Sequence, residues 1–370
     1  MPFVLTTKLF SDYTVKYRAL FLPPGESAQY RDTNESTSQK GFNITLDFPV
    51  GTILSKTFAA ADEQADTERP IETRLIIKRQ RPDGQAYWVG LPYLWQEENG
   101  RKVARLKMEG STESISWNTT DVDSGNVHRG STDDYLVPNA NQCLSCHGRE
   151  EGEPGAVPIG PKVRFLNKPY YPESDFIANT HPVEGSNQIA WWCANGILSD
   201  CPADLGVDAQ TQIATKLERI PAFNKPGDSG HTAGSDADIE ERARAWLEVN
   251  CQHCHNVSGF ASNTGFYLNA LPSLKTYENY GICKKPTATG QEGSGRRTFD
   301  IHPTNAMDSI VAFRIGPEAT SAAARMPPLG RSVVDEEAVA LVNQWINNVL
   351  VKDNTLYHNS EGCDQSDLPL

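Results

Sequence analysis

The sequence predicts an α+β, multidomain chain, and three observations carry that expectation. Strand–turn–strand patterns are confined to the N-terminal third, an irregular Gly/Pro-rich stretch follows, and apolar residues at helical spacing come only near the C-terminal side. The expected order is an all-β, sandwich-like module over 1–130, a small irregular domain over 131–226, a mainly α domain over 236–352, and a tail over 353–370.

The β module rests on turn chemistry. Arg74-Leu-Ile-Ile-Lys-Arg79, Pro82-Asp83-Gly84 and Tyr87-Trp-Val-Gly-Leu91 read as strand, turn and strand, because Asp-Gly adopts the backbone angles of a tight reversal. Tyr93-Leu-Trp-Gln96, Glu98-Asn99-Gly100 and Val103-Ala-Arg-Leu106 repeat the pattern, and Tyr17–Leu22 and Phe42–Phe48 add apolar strand candidates. Several short strands between turn signals suggest a sandwich. Trp88, Trp95 and Trp117 are expected to serve as core or hairpin partners.

Residues 119–142 are polar and turn-rich, and short helices are expected around Lys162–Asn167 and Asn187–Leu198. Gly227-Asp-Ser-Gly-His-Thr-Ala-Gly-Ser235 reads as a linker. Beyond it, Ile239, Ala243, Trp246 and Leu247 follow helical spacing, and Asp335 is placed to cap a helix with Val339, Val342, Trp345, Ile346 and Val349 on one stripe.

Eight cysteines narrow the chemistry. Residues 143–147 read C-L-S-C-H and residues 251–255 read C-Q-H-C-H, each the attachment sequence of a c-type haem. Two thiols three positions apart can form thioethers with the vinyl groups on one porphyrin edge, and the next residue, His147 or His255, can ligate the iron. With 8 Cys and 8 His in 370 residues, chance supplies roughly a few thousandths of one such motif. A zinc ribbon would space its CxxC pairs about 15–20 residues apart, far closer than Cys146 and Cys251, and no βαβ context supports a thioredoxin-like site. The reading is two covalently bound haems c. Cys193 with Cys201 and Cys283 with Cys363 are expected as disulfides, which an oxidising compartment permits.

Met326, in Arg325-Met-Pro-Pro-Leu-Gly330, is the candidate distal ligand of the second haem, since a thioether sulfur favours ferrous iron; Met307 is its rival and is expected to begin a helix. The first haem's distal ligand is left open. His128 and His181 are nearest in sequence, Met108 is a further option, and a vacant position would suit catalysis. His253, His231, His302 and His358 are read as surface residues, and Asp121, Asp123, Asp133 and Asp134 as solvated loops, because their spacing misses the EF-hand pattern.

A helix leading into CxxCH, a Met in a Pro-rich loop and a closing helix with an aromatic residue resemble a class I cytochrome c domain. The whole chain resembles a family of bacterial exported dihaem c-type cytochromes with an N-terminal β-rich module. The resemblance is carried by Leu9-Phe-Ser-Asp-Tyr13, Phe48-Pro-Val-Gly-Thr52, Asn141-Gln142 before Cys143, Ile159-Gly-Pro-Lys162, Asn187-Gln188 and Met326-Pro-Pro-Leu-Gly330. It implies electron transfer, haem attachment at Cys143, Cys146, Cys251 and Cys254, and axial ligation by His147, His255 and Met326. The sequence departs from it in the expected tail disulfide of Cys283 with Cys363.

The net charge of −13 works against binding polyphosphate or anionic lipid, so nucleic acid is a poor partner. No apolar run is long enough to span a membrane, and MPFVLTTKLF lacks the features of a secretory signal, so export would mean a signal outside this numbering. The leading expectation is a periplasmic or extracellular electron carrier serving redox partner proteins or adjacent copies of itself, the latter as a homo-oligomer or filament. The alternative is a peroxidase-like dihaem oxidoreductase with an open first haem. A third is a binding protein whose β module docks to a surface or partner.

Overall fold

The computed structural model describes residues 1–31, 45–147, 157–172, 181–268, 279–350 and Cys363. The chain is mixed α/β, with its strands concentrated N-terminally and fewer residues in helices. It forms two compact units. One comprises Met1–Lys8, Tyr13–Thr120 and Val127–Ile220, and the other Leu9–Asp12, Asp121–Asn126 and residues from Pro221 onward. The first CxxCH thus belongs to the same unit as the strands, where the sequence suggested a separate domain over 131–226.

In the first unit, β1 (Val15–Phe21), β3 (Ile53–Asp62), β4 (Thr67–Gln80), β5 (Ala86–Glu98), β6 (Arg101–Leu106), β7 (Ser111–Thr120) and β8 (Val127–Val137) form one hydrogen-bonded sheet. This replaces the expected pair of sandwiched sheets. The reason lies at β3, which pairs β4 on one side, while β1 along most of its length and β7 at Asp62 share the other. Both anticipated hairpins form. Glu98 opposes Arg101 across Asn99-Gly100, and both turn residues have positive φ, as a tight two-residue reversal requires.

Trp88 packs edge-on against Phe48, Trp117 stacks on Tyr13, and Trp95 Nε1 donates to Thr73 Oγ1 at 2.9 Å. All three act as core or hairpin residues. Residues 42–44 of the Phe42–Phe48 candidate lie outside the described residues; its remainder contributes the buried Leu46 and Phe48.

The rest of this unit carries α1 (Ala140–His147), α2 (Val163–Leu166) and α3 (Gln188–Ala194), plus a two-residue parallel pairing of β2 (Ala28–Gln29) with β9 (Leu198–Ser199). Asn187 caps α3 through Ala190 N. The helix ends before Gly196, whose positive φ turns the chain into β9. The Cys193–Cys201 disulfide is present.

The second unit is built on α4 (Asp236–Leu247), which runs on through a π-helical turn at Glu248–Gln252 into the second CxxCH. α5 (Gln291–Ser294), α6 (Ile310–Ile315) and α7 (Glu336–Gln344) follow, and a second π-helical turn spans Trp345–Val349. Ile239, Ala243, Trp246 and Leu247 pack with Val342, Trp345, Ile346 and Val349 in one buried cluster, so both anticipated apolar stripes face the core. Asp335 caps α7 through Ala338 N at 3.2 Å.

The expected linker at 227–235 instead folds onto α4: Gly227 N, Gly234 N and Ser229 Oγ all donate to the buried Asp238 carboxylate. The Cys283–Cys363 disulfide is also present. Among the described residues no helix is long and apolar enough to cross a membrane.

Candidate functional site

The first CxxCH occupies α1, which a reciprocal cap starts: Gln142 N donates to Asn139 Oδ1 at 2.8 Å, and Asn139 N donates to Gln142 Oε1 at 2.9 Å. Helical spacing sets Cys143 and Cys146 one turn apart on the same side. Cys143 is buried against β5 at Gly90, where an added Cβ would lie 3.2 Å from its own Cβ. Burial raises this thiol's pKa, with Arg74 opposing. His147 Nδ1 lies 2.6 Å from Val157 O; a carbonyl only accepts, so Nδ1 carries the proton and Nε2 keeps its lone pair.

The candidate distal histidines of this motif each have an aromatic neighbour. His128, on β8, stacks on Tyr13 at 4.5 Å between ring centroids. His181 lies along Tyr170 at 6.2 Å, with Nδ1 2.8 Å from Pro182 O. Met108 is exposed in the turn after β6.

The second motif opens onto a part-open cleft with a cavity volume of about 70 Å³. Cys251, His255, Phe266, Ile310, Arg314 and Met326 all contribute to its lining. His255 Nδ1 donates to Phe266 O at 3.2 Å, which leaves the lone pair on Nε2. Burial first, and then the charges of Arg314 and His253, push the His255 pKa down to about 4, the Phe266 carbonyl opposing. The imidazole is therefore neutral at physiological pH, as a metal ligand must be. Burial pushes the Cys251 thiol up to about 12, Arg331 opposing.

Met326 is held at both of its peptide groups. Its N–H donates to Arg314 O at 2.9 Å, and its carbonyl accepts from Arg331 Nη1 at 2.8 Å. Arg331 also donates to Ile315 O and Gly316 O, while Arg314 donates to Ala323 O and Ala324 O. The Ser332 and Val333 N–H groups donate to the buried Asp12 carboxylate at 2.7 and 3.0 Å. The Met-Pro-Pro loop is thus laced to α6 and to the Leu9–Asp12 segment.

Sequence reasoning singled out Cys251, His255 and Met326, which the structure brings to one cleft, but not Phe266, Arg314, Arg331 or Asp12, which act through backbone carbonyls or long-range caps. The arginines flanking the loop, Arg325 and Arg331, were the available signal. The rival Met307 is exposed on the 3₁₀ turn before α6.

Two surface assignments change or sharpen. His253 is buried, and its Nδ1 has no hydrogen-bond partner among the described residues; it sits inside the CxxCH turn, where the chain folds back on itself. His302 is largely covered and pairs with Asp308 at 2.8 Å, whereas His231 is exposed beside Glu241. His358 lies outside the described residues.

The donor set fits a tethered tetrapyrrole. The four free cysteines among the described residues are the four of the CxxCH motifs, each motif has an imidazole with Nδ1 committed to a carbonyl, and the second adds a thioether to a mostly apolar cleft. Comparison of the chain with protein-family models, with curated proteins and with solved structures gives no match.

Proposed function

We propose that this chain is an exported dihaem c-type cytochrome that transfers electrons between redox partners, and that its second unit is a class I cytochrome c-like domain. The observation that carries the reading is the convergence of Cys251, His255 and Met326 on one cleft from segments well separated in sequence. Haem iron, once bound, would supply the one-electron chemistry. The protein's part is to tether, ligate and insulate.

Cys143 with Cys146, and Cys251 with Cys254, would hold the two macrocycles covalently. His147 and His255 would present Nε2 to the irons, each ring oriented by its carbonyl partner. Met326 would add its thioether to the imidazole at the second site, a donor pair that favours electron transfer over substrate binding. Phe266 and Ile310 give that cleft apolar walls. The two disulfides and the CxxCH pairs support an oxidising compartment outside the cytoplasm.

Mass and spectrum test this reading. Protein matured with a haem-attachment system should gain two porphyrin masses and show low-spin spectra. A colourless chain of bare polypeptide mass would end the proposal, and a high-spin, peroxide-reactive first iron would turn it toward a dihaem oxidoreductase.

A further inference from the structure

The face of the sheet beneath the first CxxCH carries an unusual row of charge. Arg18 on β1 pairs directly with Lys56 on β3, and Lys56 with Arg74 on β4. Three cations therefore stand side by side across adjacent strands, an arrangement that like-charge repulsion disfavours. In the next row Lys16 opposes Phe58, and Phe58 opposes Glu72.

This is no solvated face. Lys16 and Arg18 are each 6% exposed and Glu72 is 0% exposed, while Lys56 and Arg74 are half-buried. The Lys56 ammonium, the Arg74 guanidinium and the Lys16 ammonium lie 4.7, 4.4 and 5.9 Å from the centroid of the fully buried Phe58 ring. Glu72 meets Arg74 through both oxygens and accepts from Tyr135, while Lys16 Nζ donates to Thr14 O and Arg18 Nη1 to Lys16 O, so the charge on this face stays predominantly positive. Burial, then Arg18, Arg74 and Lys16, lower the Lys56 pKa well below the usual lysine range, Glu72 opposing. Such a row is stabilised by an anion placed against it.

Position identifies the anion. Pro92 on β5 continues the row beyond Arg74, and Gly90, two residues along β5 on the same face, is the residue that Cys143 covers. From there the cations run across β4, β3 and β1, so Arg18 stands two strand spacings, about 10 Å, beyond Arg74. A porphyrin joined through its vinyl edge at Cys143 carries its two carboxylates on the opposite edge, displaced by the width of the macrocycle. We propose that Lys56 and Arg18, with Lys16, form the binding site for the propionate carboxylates of the first haem, so that the β module supplies part of that haem's pocket. The inference rests on the cytochrome reading above.

The test uses the matured, full-length protein with Lys56→Met and Arg18→Met, each removing one cation from a row in which like charges repel. Removing a cation from a propionate leaves its negative charge uncompensated and favours ferric iron. A redox titration should show one haem transition moving to lower potential in each variant, with the other unmoved and with Lys56→Arg restoring the parent value. The propionate bending mode of one haem in the resonance Raman spectrum should shift in parallel.

Two haems present with both transitions and the Raman mode unmoved would overturn the inference alone. Absence of the two porphyrin masses would overturn the underlying reading as well, and mass measurement separates the two failures. Added malonate should leave the parent's melting temperature unchanged. A rise that Lys56→Met abolishes would assign the row to a free carboxylate and sink the propionate assignment.

Discussion

Arg331 Nη1 donates to the carbonyl of Met326 at 2.8 Å, and the same nitrogen reaches Ile315 O at 2.6 Å, so one buried guanidinium ties the candidate ligand's loop to the end of α6. A planar fork can serve several carbonyls at once, which a lysine ammonium on its flexible stem does less well. Arg331→Met should leave these carbonyls unpaired and cost about 3 kcal/mol of stability, given roughly 1–3 kcal/mol per buried unsatisfied group. In the matured protein it should also weaken the absorption signature of thioether-ligated ferric haem, with Arg331→Lys intermediate. A lower melting temperature with an intact signature would reduce Arg331 to a fold-stabilising residue and refute its role in positioning Met326.

Trp246 and Asp335 join the two long helices of the second unit. Trp246 Nε1 donates to Asp335 Oδ2 at 2.9 Å, while Asp335 Oδ1 accepts from Ala338 N and so caps α7. Asp335→Ala removes the cap, worth about 1 kcal/mol, and strands a buried indole N–H at about 1–3 kcal/mol more. The expected total is about 3 kcal/mol by chemical denaturation. In the Trp246→Phe background the same substitution should cost only about the cap. Equal losses in both backgrounds would show that the indole bond contributes nothing.

Much of this architecture was readable because its signals are local. CxxCH, the Asn99-Gly100 turn and the Asp335 cap each depend on residues within a few positions of one another. The burial of Lys16 and Arg18 was hidden for a physical reason. Strand alternation fixes which residues share a face but leaves open which face turns inward, and hydropathy would turn Val15, Tyr17 and Ala19 in. The fold does the reverse at Lys16 and Arg18, which are buried while their neighbours are half exposed. His253 was missed likewise, since a polar residue inside a tight turn reads as solvent-facing until the turn is packed. The Arg314 and Arg331 clamps act on backbone carbonyls, so the arginines can be read in the sequence but their acceptors cannot.

Gly90 provides a steric test of how the first CxxCH is seated. Its backbone needs no glycine-only conformation, yet a Cβ there would come within 3.2 Å of Cys143 Cβ and 3.5 Å of its sulfur. Gly90→Ala should be tolerated after a shift of a few tenths of an ångström, whereas Gly90→Val should push α1 off β5. The valine variant is expected to mature with substoichiometric first haem while the second is retained, read as a mass one porphyrin short. Full double loading of Gly90→Val would refute the seating of Cys143 against the sheet.

Asp238 sets an acid limit on the second unit. Burial by itself would raise the pKa of this carboxyl, but hydrogen bonds from Gly234 N, Ser229 Oγ and Gly227 N, with the Arg242 charge, hold it below the ordinary aspartate value of 3.8. As pH falls the unfolded chain therefore takes up the proton before the folded one. The stabilisation is complete above the unfolded value and is lost as pH drops through the lower, folded one. Asp238→Asn should destabilise the protein at neutral pH by about 3 kcal/mol, because Arg242 keeps a buried charge without its 3.1 Å partner. The gap between parent and variant, measured by denaturant unfolding from pH 7 to pH 2, should stay constant to about pH 4 and then close. A gap that persists undiminished at pH 2 would show that the carboxylate's charge is not what holds the 227–235 segment to α4.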